Sequence, residues 1–134
     1  MTLPAPSPTS QRLAGAASRY QRDGTQVVSP DRLVVLLYER LLKDLDSAVD
    51  LLDAGRSAHT PLVHAQDIVD GLDMSLDTSQ WSGGPGLRSI YEYLHSELVA
   101  ANLECDPARV KECRTVVAPL AEAWSLAAAS GEDQ

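Results

Sequence analysis

The sequence predicts an all-α protein, an antiparallel up-down four-helix bundle with a flexible N-terminal arm, on three observations. Residues 27–53 carry an amphipathic pattern that runs without a break for roughly seven turns. Three further segments repeat the helical period, each introduced by a cap or proline signal. No segment alternates apolar and polar residues at the strand period, and short connections favour antiparallel neighbours. The 134 residues fit one domain, long enough to bury an ordinary core without a metal or disulfide staple.

The first helix opens at Ser29 and Pro30. The serine hydroxyl can accept from the first free amides, and Pro30 stands where a missing N–H costs nothing. Its apolar stripe, Leu33, Leu37, Leu41, Leu45, Ala48 and Leu52, is flanked by Leu36, Tyr38, Leu42 and Val49. That is too wide for one partner helix, so this element packs against several neighbours or against neighbours and a bound chain. Gly55 and Arg56 close it, and Ser57 or Thr60 with Pro61 opens the second helix. There Leu62, Ala65, Ile68 or Val69, Leu72 and Leu76 mark the buried face, while Gly71 interrupts the run at a cost of about 1 kcal/mol relative to Ala. Thr78 to Gly86 reads as a loop. The third helix turns Leu87, Ile90, Tyr91, Leu94, Leu98 and Val99 inward and ends near Asn102. Asp106 and Pro107 repeat the cap-plus-proline device, and Val110, Cys113, Val117, Leu120 and Trp124 carry the pattern onward. The expected division is therefore an arm over residues 1–28, a bundle over 29–126 and a frayed tail over 127–134.

Charge narrows the classes of partner. A formal net charge of −8 disfavours nucleic acid and anionic membrane. The arm carries Arg12, Arg19 and Arg22 against Asp23, net +2, which leaves −10 on the rest. Arm and body should attract, with Tyr20, Val27 and Val28 as apolar anchors. No segment approaches the roughly 20 apolar residues of a membrane span, and no signal peptide opens the chain, so the cytoplasm is the expected compartment. If both lie on the last helix, Cys105 and Cys113 are roughly 12 Å apart and read as reduced thiols.

The chemistry-bearing residue types point away from an enzyme. His59, His64 and His95 make no zinc-binding spacing, and the Gly-rich loop follows no strand and carries no Lys. No metal or cofactor is expected. A phosphorelay through His64 is the weakest alternative, since it lacks a nearby Lys. Asp67, Asp70, Asp73 and Asp77 form a row on the second helix with no Lys or Arg between Leu62 and Asp77. Asp73 and Asp77 stand near its C-terminal end, where the macrodipole disfavours negative charge, which points to a capping contact or a basic partner. Asp77 could accept loop amides or pair with Arg88. Tyr91 and Tyr93 are separated by about 200° on a helix, so one of them faces outward. Trp124 reads as core and Trp81 as a loop contact, which leaves a second alternative, an adaptor binding folded partners through Trp81 and Tyr93.

Several short motifs then fall in one order: Tyr20, Val27 and Ser29–Pro30; LLYE at Leu36 to Glu39; Ala65 to Asp67; Ser75 to Asp77; Gly83 and Gly84; IYEYL at Ile90 to Leu94; Ala101 and Asn102 with Asp106; Ala123 and Trp124. In this the chain, from about Arg19 to Trp124, resembles the flagellar secretion chaperones, FliS. It departs from that family's pattern at Glu39 and Arg40, where AspGly is common, and at His64, where Lys is common. The resemblance implies a cytoplasmic, non-enzymatic chaperone that binds the disordered C-terminal segment of flagellin, prevents its premature polymerisation and keeps it competent for export. It also implies an export-gate component as a further partner, and a free form that is a monomer or weak homodimer. Tyr20 and Asn102 enter the expected client surface through the family motifs. Ile68, Leu72, Tyr93 and Val99 enter as exposed apolar positions, and Asp73 and Asp77 as acids that orient basic client residues.

Overall fold

A computed structural model describes residues 30–76 and 84–132 of the chain. Four helices follow one another: α1 (Pro30–Asp53), α2 (His59–Ser75), α3 (Gly84–Glu104) and α4 (Pro107–Glu132). No strand occurs among the described residues. They form an antiparallel ring in which α1 touches α2 and α4, and α3 closes the far side between α2 and α4. The arm, Ser29, Asp77 and Trp81 lie outside the described residues.

The width of the α1 stripe has its explanation in this ring. Leu37, Tyr38, Leu41, Leu45 and Ala48 are fully buried between α2 and α4, with Leu33, Leu42, Val49 and Leu52 packed at the margins. Three contacts set the register of α1 against α4: Lys111 near Asp53, Arg114 with Asp46 at 2.6 Å, and Trp124 with Tyr38. Continued along both helices, that register brings the last turn of α4 beside the first turn of α1. Helix therefore persists to Glu132 and Ala128 is buried, where a frayed tail from residue 127 was expected. Cover for Leu33, Val34 and Val35 is the physical reason: without it, the opening turns of α1 would expose apolar surface to water. Pro119 lies inside α4 on its exposed side, and removes the amide that would bond Thr115 O. The Thr115 hydroxyl bonds Lys111 O one turn earlier at 3.0 Å, and the helix carries on.

The turns follow capping rules, with two departures from expectation. Gly55, at φ +72°, and Arg56 make a Schellman closure: Gly55 N bonds Leu52 O at 3.0 Å and Arg56 N bonds Leu51 O at 2.8 Å. Asp106 caps α4, its Oδ1 accepting from Ala108 N at 3.0 Å. Helix α2, however, begins at His59, two residues before Pro61, after an Ala58 that supplies no side-chain cap. Ser57 Oγ accepts from His59 N at 3.3 Å instead, and Pro61 still falls within the first turn, where its missing N–H is harmless. Helix α3 begins at Gly84, so Gly84, Pro85 and Gly86 form its first turn and are not loop. Cys105 is not on the last helix. It occupies the α3–α4 turn at φ +52°, a left-handed conformation uncommon for a residue with a Cβ, and Asp106 N bonds back to Ala101 O at 3.1 Å.

Candidate functional site

The acidic row of α2 is answered from α3. Arg88 Nε donates to Asp73 Oδ1 at 3.2 Å, and its Nη2 reaches the carbonyls of Asp73 and Leu76, both at 3.4 Å. The last turn of α2 holds no basic residue of its own, so this guanidinium supplies the cation that the helix C-terminus lacks. Arg88 thus pairs with Asp73; Asp77, offered by the sequence to the loop amides or to Arg88, lies outside the described residues. His95 Nδ1 lies 2.8 Å from Asp70 Oδ1, off the axis of a hydrogen bond, so the contact is one of charge once the imidazole is protonated.

The other two histidines also join helices. Asn102 Nδ2 donates to His59 Nδ1 at 3.0 Å, and His64 pairs with Asp44, which Arg40 approaches to 3.4 Å from the preceding turn. Asp44 is the one buried charged side chain among the described residues, and its contacts with Arg40 and His64 offset its desolvation. His64, the residue of the phosphorelay alternative, is engaged in this interhelical pair.

The expected client residues do not form one surface. Ile68 and Leu72, taken as exposed, retain 6% and 3% of their surface and belong to the core. The reason is that α2 is wedged between α1 and α3, so its apolar stripe is used on both flanks. Asp73 and Asn102 lie in the α2–α3 seam, and helical spacing places Val99 on the same side of α3 as His95 and Asn102. Tyr93 alone stands at the α3–α4 seam, 44% exposed, with Tyr91 buried as the two-residue spacing requires.

That α3–α4 seam is the loosest in the ring, and at the end away from the Cys105 turn it opens into an apolar groove of about 400 Å³. Leu87 of α3 faces Leu120, Ala123, Trp124 and Ala127 of α4 across it. Four of these five residues come from one helix at i, i+3, i+4 and i+7, the spacing of a continuous face. Helix α4 therefore carries two apolar stripes. Val110, Cys113 and Val117 serve the core, and the second stripe, offset toward α3, serves the groove. Trp124 joins both: it lines the groove and packs against the core, where the sequence suggested core alone. The doubled stripe was the available signal, hidden by the small, alanine-rich composition beyond Trp124.

A buried polar cluster fixes the floor. The hydroxyls of Tyr38 and Tyr91 lie 2.6 Å apart, and Tyr38 takes a further side-chain hydrogen bond from Trp124. Burial pushes the pKa of both hydroxyls up, so the pair stays neutral and acts as a fixed strut between α1, α3 and α4. Toward the Cys105 turn the seam is shut by Arg109. Its Nη1 bonds both carboxylate oxygens of Glu97 at 3.1 and 3.2 Å, and its Nε meets Glu104 at 3.0 Å and Asp106 at 3.5 Å. Tyr93 stands beside this cluster, its hydroxyl pKa raised by partial desolvation and then by Glu97 and Glu112.

An apolar, partly formed groove between two helices of a bundle suits an amphipathic helix from another chain. Among the described residues no helix is long and apolar enough to cross a membrane, and no group of His, Cys, Asp or Glu is arranged to hold a metal. The family profile described as flagellar protein FliS matches residues 13–131, nearly the whole chain. The chain belongs to the FliS family. Its relatives include the flagellar secretion chaperone FliS of Bacillus subtilis (strain 168), 27% identical over 111 residues that cover 81% of this chain and 82% of that protein. Membership in this chaperone family agrees with the resemblance read from the motifs between Tyr20 and Trp124, and the all-helical ring is the fold that the resemblance implied.

Proposed function

We infer that this FliS-family chain is a cytoplasmic, non-enzymatic export chaperone. It holds the C-terminal segment of flagellin, blocks its premature polymerisation and keeps it competent for secretion. The observation that carries the reading is the apolar groove between α3 and α4, in a chain of this family. A disordered client loses chain entropy when it orders, and buried apolar area must offset that loss. The groove supplies such area on a preorganised floor, because Tyr38, Tyr91 and Trp124 are already locked by their own hydrogen bonds.

The client surface accordingly centres on Leu87, Leu120, Ala123, Trp124 and Ala127, extended along the seam to Tyr93. Asp73 contributes by capping α2 through Arg88, and Asn102 by tying α3 to His59; both act on the scaffold. Tyr20 of the arm and an export-gate component remain part of the reading through the family resemblance. Titration of the full chain with a peptide from flagellin's C-terminal region, followed by calorimetry and circular dichroism together, tests it. Saturable one-to-one binding with a gain in helix is expected. Binding without any gain in helix would instead support an adaptor for partners already folded.

A further inference from the structure

The groove is chemically different at its two ends. At the open end its lining is uncharged: Leu87, Leu120, Ala123, Trp124 and Ala127. The first turn of α3, which starts there, contains no acidic residue. Glu122 falls on the helical stripe of Pro119 and Leu126, turned from the groove stripe by one residue's rotation. At the other end three carboxylates, Glu97, Glu104 and Asp106, surround one guanidinium, that of Arg109, and Glu112 adds a fourth negative charge beside Tyr93. Local charge there is strongly negative even after the ion pairs are formed. Tyr93 marks the passage from the apolar stretch to the acidic one. From the level of Ala127 to that of Cys113, beside Tyr93, the seam runs roughly 20 Å at 1.5 Å per residue, room for a client helix of several turns.

We propose that this asymmetry gives the groove a direction: a helix from flagellin's C-terminal segment docks with its N-terminus at the Arg109 end and its C-terminus at the Leu87 end. The inference rests on the chaperone reading above and deepens it by fixing the polarity of the occupant. An amphipathic helix presents about half a positive charge at its N-terminus and half a negative charge at its C-terminus, and an apolar seam alone would accept it either way round. The dipoles of α3 and α4 do not decide, because these helices are antiparallel and a third helix between them runs with one and against the other. The carboxylates of Glu97, Glu104, Asp106 and Glu112 then set the preference. They favour the partial positive charge of the client's first turn, and any basic residue just ahead of it, while the uncharged lining at the Leu87 end offers the client's last carbonyls no like charge.

The protein carries its own reporter position for a test. Cys105 is an exposed thiol in the α3–α4 turn, at the acidic end, whereas Cys113 is buried and its thiol pKa is pushed up to about 12, chiefly by that burial. A fluorophore can therefore be placed on Cys105 of the full chain alone. Flagellin C-terminal peptides bearing a nitroxide quencher at one end or the other are then titrated in, with unlabelled peptide as competitor. The N-terminal quencher should dim the fluorophore several-fold more at saturation than the C-terminal one, and E112K should shrink that difference. Equal quenching, or a stronger effect from the C-terminal label, overturns the polarity while leaving the chaperone reading intact. Absence of saturable, competable binding by either peptide overturns both.

Discussion

Replacing Tyr91 with Phe removes one oxygen from the middle of the bundle, and the structure fixes what that should do. The lost contact is the 2.6 Å bond to the Tyr38 hydroxyl, in a site where Tyr38 has no exposed surface. The aromatic ring keeps its packing, so no cavity forms. Trp124 still donates to Tyr38, but the Tyr38 hydroxyl loses its hydroxyl partner, and leaving a buried polar group with one bond unmade costs about 1–2 kcal/mol. Y38F should cost more than Y91F, because it strands both the Tyr91 hydroxyl and the Trp124 indole N–H. The double variant should be less harmful than the two single costs combined, by about 1 kcal/mol, since it removes both partners of one bond. Urea unfolding followed by far-UV circular dichroism measures all three, with unchanged slopes showing that the unfolded states are comparable. Strict additivity, or a Y91F variant as stable as the parent chain, would refute the idea that a hydroxyl strut joins α1 to α3 beneath the groove.

Other expectations follow from the turns and from burial. C105G should stabilise the bundle by about 1 kcal/mol by relieving a left-handed residue with a Cβ, and G55A should cost a similar amount. No atom lies within 4 Å of a Cβ built on Gly55, so its loss would be one of backbone alone; thermal melts of both variants decide this. D44A should cost about 2 kcal/mol in urea, because it removes the buried carboxylate that Arg40 approaches and that joins α1 to His64 of α2. Alkali should weaken the fold. The Cys113 thiol is raised from 9.0 to about 12 in the folded chain, so unfolding releases its proton above the lower value. Stability is then fully present below pH 9 and declines toward pH 12, with both buried tyrosines adding to the loss once pH exceeds their ordinary value. Urea midpoints across that range should fall, and C113V should fall less steeply. A thiol reagent at neutral pH should modify Cys105 and leave Cys113 intact until the chain unfolds.

Much of the fold was legible because its signals are local. The seven-turn stripe of α1, the Gly55 closure and the Asp106–Pro107 start each arise within a few residues and appear in the structure as read. The departures are those where a distant element decides. Ala58 is a poor cap, and nothing near it announces that α2 starts there; burial of Ala58 in the core holds the start. Alanine-rich sequence beyond Trp124 has no pattern of its own that demands helix, yet α1 needs cover at its first turn. Ile68 and Leu72 have the same composition as a surface groove would, and only the position of α2 between two neighbours shows that both are consumed by the core. The acid at Asp73 conflicts with the helix dipole when α2 is read by itself, and Arg88 resolves the conflict from fifteen residues away. The groove is not legible in the sequence because its stripe is built partly of alanine, whose small side chains mark a surface only beside the opposing Leu87 and the flanking Trp124.

If the α3–α4 groove holds the client, one substitution should release it without touching the core. Ala123 lines the groove and is exposed, so A123E places a carboxylate on the apolar face at a helix-propensity cost of only a few tenths of a kcal/mol. Leu126, 63% exposed and turned away from the groove, provides the matched control L126E. Calorimetric titration with the flagellin C-terminal peptide should show A123E weakened about tenfold or more, L126E unchanged, and both with the parent's melting temperature. Equal affinity in A123E and the parent chain would contradict the account and move the client to another face of the bundle.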